Sequence, residues 1–208
     1  WISISTMYAD LSTAFIGTLL ATSLSLNTAF WTNHPTTTTR TRNSELLLRM
    51  VVNTEKVIAD LGIELPPPPP PAANYIPVQK SGNLLYFSGH IPLQNDGTLI
   101  TGKVGTGGKT TEEAYQAARQ VGLNLIATMK NELGGDLDRV EQIVKLFGIV
   151  HSTDDFYEQH KVLNGCSDVM VEIFGKERGV HSRSAIGTNA LPLGVSVEIE
   201  AIVRVKED

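Results

Sequence analysis

The segment Val195-Ser196-Val197-Glu198-Ile199-Glu200-Ala201-Ile202-Val203-Arg204-Val205 alternates apolar and polar residues almost without interruption. Successive side chains of a strand point to opposite faces. Val195, Val197, Ile199, Ala201, Val203 and Val205 therefore share one face, and Ser196, Glu198, Glu200 and Arg204 share the other with Ile202. The apolar face needs a layer packed over it. A face holding two carboxylates and an arginine is either solvated or pressed against another subunit around a polar cleft.

Working back from that strand, His181 to Gly187 reads as another. Thr153 opens a helix that places Phe156, Leu163, Cys166, Met170 and Ile173 on one face and ends near Gly175. Ile143 to Val150 is nearly all apolar, the pattern of a strand buried on both faces. Thr110 and Glu113 form a capping box for a helix whose stripe is Ala114, Ala118, Val121, Leu125 and Met129, with Gly134-Gly135 as its stop. Ile76 to Lys80 and Leu84 to Gly89 flank a Ser81-Gly82-Asn83 turn, and Asn95-Asp96-Gly97 precedes a short strand from Thr98 to Thr101. The order is two or three strands, helix, strand, helix, two strands. It predicts an α+β domain, one mixed sheet with both helices on one face.

The N-terminal part is of another kind. The chain has 208 residues and a net charge of −5, yet residues 1–42 carry one acid, Asp10, and two bases, Arg40 and Arg42. Ala14 to Ala21 resembles the apolar core of a signal peptide, too short and too rich in Ser/Thr nearby for a membrane span. Asn27-Thr28-Ala29-Phe30-Trp31 and the Thr-rich stretch to Arg42 follow it, a pattern loosely like the bipartite presequences that lead into complex plastids. Residues 1–42 are thus expected to direct the protein to an organelle, plastid or mitochondrion. A secretory signal and an upstream extension of no function are the other readings, the last implying a cytoplasmic protein. The chain opens on Trp1, and Met7 and Met50 are both candidate starts. Residues 43–65 read as a helix capped by Ser44 and ended by Gly62, with a short leader after it. Residues 66–73 hold the Pro66 to Pro71 run, a stiff spacer before the domain at 74–208.

Composition excludes several functions. An acidic chain without a basic block lacks the electrostatic footprint of a nucleic-acid binder. A single cysteine, Cys166, rules out an internal disulfide and a multi-cysteine zinc site, and its place on the apolar stripe argues for packing. His34, His90, His151, His160 and His181 form no HxxxH or HExxH pair, so no metal is expected. The run Gly102-Lys103-Val104-Gly105-Thr106-Gly107-Gly108-Lys109-Thr110 has the look of a phosphate-binding loop. However, Lys103 stands where the first glycine of that pattern is required. It reads as a flexible loop before a helix.

Three segments remain: Asn74-Tyr75, Leu85-Tyr86-Phe87-Ser88-Gly89-His90-Ile91-Pro92, and Arg183-Ser184 with Leu191-Pro192 and Val197-Glu198-Ile199-Glu200-Ala201-Ile202. In this order they resemble the SGQ-P, RS, LP and IEIEAI motifs of the RidA (YjgF) family of reactive-intermediate deaminases. The resemblance spans roughly residues 45–206. It includes Leu61-Gly62-Ile63-Glu64-Leu65-Pro66, typical of a longer branch often named endoribonuclease L-PSP.

The resemblance implies a chorismate-mutase-like fold, a homotrimer with clefts between subunits, no cofactor, and hydrolysis of 2-imino acids to 2-oxo acids and ammonia. It makes Arg183 the carboxylate fork and Glu198 the group that moves protons, with Glu200 on the same face. Tyr75 and the Gly89 amide become ligand contacts. The partners implied are a small 2-imino or 2-oxo acid and two further copies of the chain, with neither nucleic acid nor, in the mature form, membrane. From the residues alone, Arg183 and Glu198 also read as an interfacial ion pair, Tyr75 as an edge aromatic and Gly89 as a bend. The chain departs from the family at Ala185, where the deaminases carry cysteine, and at His90 in place of glutamine. Asn164 and Ser167 are both candidates for the family asparagine. A non-catalytic trimer that binds or senses small carboxylates is the alternative, and an endoribonuclease a more distant one, since neither a basic groove nor a stacking platform is evident.

Overall fold

The computed structural model describes residues 53–68 and 74–207. The presequence reading of residues 1–42, the Ser44 cap and Pro69 to Pro71 lie outside them. Among the described residues, no helix is long and apolar enough to cross a membrane.

Five strands form one sheet: β1 (Val78–Ser81), β2 (Leu84–His90), β3 (Val140–His151), β4 (Ser182–Thr188) and β5 (Val197–Val205), in the order β1-β2-β5-β3-β4. β3 and β4 are parallel and every other pairing is antiparallel. The parallel pair needs a long crossover, supplied by helix α3 (Gln159–Gly179); α2 (Thr111–Glu132) connects β2 to β3. Both helices cover one face, an α+β arrangement as the element order predicts.

The alternation in β5 has the expected result. Val197, Ile199, Ala201, Val203 and Val205 are buried beneath the helices, while Glu198, Glu200 and Ile202 face away from them. Thr110 and Glu113 form the capping box at the start of α2. The two helices approach closely at Gly165, where a Cβ would stand 2.9 Å from the backbone nitrogen of Arg119. Val121, Leu125, Met129, Leu163, Cys166 and Met170 fill the layer between helices and sheet. Fully burying an aliphatic side chain of this size contributes roughly 1.5–3 kcal/mol.

Several expectations are corrected. The second helix begins at Gln159, six residues after Thr153, because residues 153–156 bond to the preceding loop instead. The Thr153 amide donates to the Val104 carbonyl at 2.9 Å, and the Thr106 hydroxyl donates to Asp155 at 2.6 Å. Phe156 packs on the core from that turn, not from the helix. Gly175, at φ 73°, interrupts α3 without ending it, and the helix runs on to Gly179. Thr98 to Thr101 makes only isolated bridges, Thr101 pairing with Val195. Ser196 is buried, its hydroxyl donating to the Ile100 carbonyl at 3.3 Å, so it does not join the polar face. β3 is not buried on both sides within one chain. Ile143, Leu146 and Val150 are covered by helix, but Lys145, Phe147 and Ile149 stay half-exposed on the face opposite.

Helix α1 (Thr54–Asp60) is capped by Asn53, whose side chain accepts from the Lys56 amide at 2.8 Å. It docks directly on the domain: the Thr54 amide donates to Asp138 at 3.0 Å, and Arg178 of α3 donates to the Thr54 hydroxyl at 2.9 Å. The proline run likewise starts in contact with the domain, since Pro66 is buried and Pro68 lies along the C-terminal end of α2.

Candidate functional site

Arg183 pairs in register with Leu146, a buried residue on the helix-covered face. Cross-strand partners share a face, so the Arg183 side chain leaves the edge strand on the helix side. There Nη1 donates to Asn164 Oδ1 at 3.0 Å and to Ser167 Oγ at 2.8 Å, and Nη2 donates to the His160 carbonyl at 3.0 Å. His160, Asn164 and Ser167 lie one and two turns apart along α3, on one side of it. Both candidates for the family asparagine thus hold the arginine. Three of the five guanidinium N–H groups are committed, and Nε–H and one Nη2–H remain.

Glu198 lies on the other face. It pairs with Ile149, and Glu200 with Phe147, both half-exposed residues of the uncovered side. Glu198 packs beside Gly89, where a Cβ would come within 2.7 Å of the glutamate Cδ. Burial, then the negative charge of Glu200, pushes the Glu198 carboxyl above the ordinary glutamate range. It is suited to giving and taking protons nearer neutrality than a solvated carboxylate.

The end of β2 that carries Gly89 is bulged. Phe87 pairs with Ala201 and His90 with Ile199, so three steps of β2 match two of β5. The extra residue turns both Phe87 and His90 into the core, 4% and 5% exposed. His90 is the residue that stands where the SGQ motif has glutamine. His90 bonds to the Ser88 carbonyl through Nδ1 at 2.8 Å and to Thr128 through Nε2 at 2.9 Å, fastening the bulge to α2. Burial, opposed by the bond to Ser88, lowers its pKa. Ser88 in turn donates to the Ile76 carbonyl at 2.9 Å, which ties the segment with the exposed Tyr75 to the Gly89 end of the strand.

Of the residues read from the sequence, the structure brings Glu198 and Gly89 together, and Arg183, Asn164 and Ser167 together. Within one chain it does not bring the two groups together, because opposite faces of the sheet separate them. His181 and the His160 carbonyl were not anticipated. The i, i+2 spacing is the signal for the first, since His181, in the segment read from the sequence as a strand, lies two residues before Arg183, although the strand begins one residue later at Ser182. Cys166 is fully buried and burial raises its thiol to about 12, the behaviour of a packing residue. The glycine-rich loop folds on itself through Lys109 N to Lys103 O at 2.8 Å and Gly108 N to Gly105 O at 2.9 Å.

A five-stranded mixed sheet with two helices on one face, an edge-strand arginine held by the crossover helix and a carboxylate on the bare face define a YjgF-type α+β protein. A family model described as "YjgF/chorismate mutase-like, putative endoribonuclease" matches residues 55–201, and the chain belongs to this YjgF/RidA-like family. Protein TCP17 of Trypanosoma cruzi is 41% identical over 156 residues, 74% of this chain and 96% of that protein. A crystal structure of a "putative endoribonuclease" from Shewanella oneidensis is 32% identical, with a TM-score of 0.69 over 74% of this chain and 99% of that one. A crystal structure of a protein of unknown function from Agrobacterium tumefaciens is 36% identical, with a TM-score of 0.67 over 78% of this chain and 99% of that one.

Proposed function

We propose that the protein is a hydrolytic deaminase of reactive 2-imino acids and their enamine tautomers, acting as a homotrimer without a cofactor. The observation that carries this reading is the state of Arg183. Its guanidinium is immobilised by three bonds to α3 and keeps two N–H donors for a ligand, the donor set that a planar carboxylate takes up and a lysine cannot copy.

Water adding to C2 of a bound imine gives a carbinolamine. Glu198 takes a proton from the water and returns one to nitrogen. Glu198 then takes the proton of the carbinolamine hydroxyl and passes it to the same nitrogen as the C–N bond breaks with its electron pair going to nitrogen, so that C2=O forms and ammonia leaves. Imine and water are thereby converted to 2-oxo acid and ammonia with no redox change. The raised pKa of Glu198 supports this role. Arg183 and Glu198 lie on opposite faces of one sheet, so the reading takes them from neighbouring subunits, the edge strand of one lying against the bare face of the next. That face supports the assembly, as it carries Tyr86, Phe147 and Ile202 around a shallow concavity of about 460 Å³. Tyr75 and the Gly89 amide would contact the ligand at the same cleft.

A carboxylate-binding trimer without turnover is the second reading. Ala185, which offers no functional group where the deaminases carry cysteine, favours it. The deciding test is ammonia release from freshly generated 2-iminopropanoate and 2-iminobutanoate. Release well above spontaneous hydrolysis supports the enzyme. Thermal stabilisation by 2-oxo acids with no acceleration identifies the binder.

A further inference from the structure

Arg183 is held by a chain of hydrogen bonds that continues beyond its immediate partners. Ser167 Oγ, which accepts from Arg183 Nη1 at 2.8 Å, lies 3.0 Å from His181 Nε2, and His181 Nδ1 lies 2.6 Å from the Gly179 carbonyl. The direction of every bond follows from the chemistry of the ends. A carbonyl only accepts, so Nδ1 carries a hydrogen. In a neutral imidazole Nε2 is then a lone pair, and the Ser167 hydroxyl must donate to it. With its hydrogen so placed, Ser167 Oγ presents its lone pairs to the guanidinium, which can only donate.

We propose that His181 is a positioning residue for the carboxylate fork, fixing the Ser167 hydroxyl as an acceptor and thereby the plane of the Arg183 guanidinium. As far as it concerns substrate, the inference rests on the deaminase reading above. His181 immediately precedes β4, two residues before Arg183, and both side chains reach Ser167 of α3, so the link is built where the helix passes into the strand. The Gly179 carbonyl anchoring the imidazole is the last of α3, and the relay ties that helix end to the strand it feeds. Burial lowers the His181 pKa against the opposing bond to Gly179, and the charge of Arg183 lowers it further, which keeps the imidazole neutral as the relay requires. Without His181, the Ser167 hydroxyl is free to turn toward a helix carbonyl, and the guanidinium loses one of its three fixed acceptors, keeping Asn164 Oδ1 and the His160 carbonyl.

The test compares His181→Leu, Ser167→Ala and His181→Gln with the wild type by two measurements. In the ligand-free protein, NMR of the Arg183 side chain reads rotation about the Nε–Cζ bond. Hindered rotation in the wild type, fast rotation in His181→Leu and Ser167→Ala, and recovery in His181→Gln are expected, since the glutamine oxygen can still accept from Ser167. In the assay, His181→Leu should raise KM about tenfold with kcat nearly unchanged, and His181→Gln should recover most of it. Unchanged rotation in both deletions overturns the inference. A lowered Tm with KM and rotation unaltered also overturns it, as that is the mark of a merely structural residue. If the wild type neither binds nor turns over such acids, the deaminase reading fails while the rotation measurement still decides the relay. Should His181→Leu not fold, Ser167→Ala breaks the same link with the imidazole in place.

Discussion

Gly89 and Glu198 are in direct contact across β2 and β5, so close that a Cβ on Gly89 would lie 2.7 Å from Glu198 Cδ and 2.9 Å from Cγ. The glycine is what lets the glutamate lie against the bulge. Gly89→Ala should displace the carboxylate with little effect on the core. The expected result is a loss of on the order of 10- to 100-fold in kcat/KM with a change in unfolding free energy below about 1 kcal/mol. Kinetics alongside a denaturant melt checks both parts.

Arg183→Lys keeps the charge and loses the fork, and Arg183→Ala loses both. Each charge-assisted bond contributes roughly 1.5–3 kcal/mol, so kcat/KM should fall on the order of 10- to 100-fold for each bond lost. Light scattering should show both variants with the subunit count of the wild type. A fully active Arg183→Ala removes Arg183 from the site.

Because Arg183 and Glu198 lie on opposite faces of one sheet, inactive subunits should complement. Arg183→Ala and Glu198→Gln chains, unfolded together and refolded at equal amounts, should recover about a quarter of wild-type activity. Each mixed trimer then regains one intact cleft. Refolding either variant alone should recover no more than that variant's own residual activity. Failure of the mixture to recover activity would mean that Arg183 and Glu198 do not meet in a cleft between subunits.

If Glu198 carries the proton as proposed, activity should rise with pH through a carboxylate pKa that lies above the ordinary range, because burial and Glu200 both raise it. Glu200→Gln removes one of these causes, so the acid limb of the kcat profile should move to lower pH. Glu198→Gln should abolish the limb together with turnover while 2-oxo acids still bind.

His90 is buried neutral, its folded pKa below the ordinary 6.5. The unfolded chain therefore takes up a proton that the folded chain refuses. Stability is fully present above about pH 6.5 and declines as pH falls from there toward the lowered folded value. His181, lowered likewise, acts with the same sign. In His90→Gln, which can still bond to the Ser88 carbonyl, Tm should fall less steeply over that interval.

What the sequence determined by itself is local. The alternation of Val197 to Val205, the Thr110–Glu113 box and the Leu125–Met129 stripe depend only on the two periodicities of the backbone and on side chains within four residues of one another. They fixed the elements, the buried face of β5 and the motifs around Arg183 and Glu198. Tertiary structure decided the rest. Residues 153–158 could have continued α3, but bonds to the loop near Val104 outcompeted the helical ones. Strict alternation would have sent Phe87 and His90 to opposite faces, yet pairing with β5 imposed a bulge and buried both. Arg183 and Glu198, which the motifs assign to one site without saying from which chain, stand on opposite faces of the sheet because register with Leu146 and Ile149 sets the face each side chain takes. Register arises from contacts between strands far apart in the chain, and no local pattern encodes it.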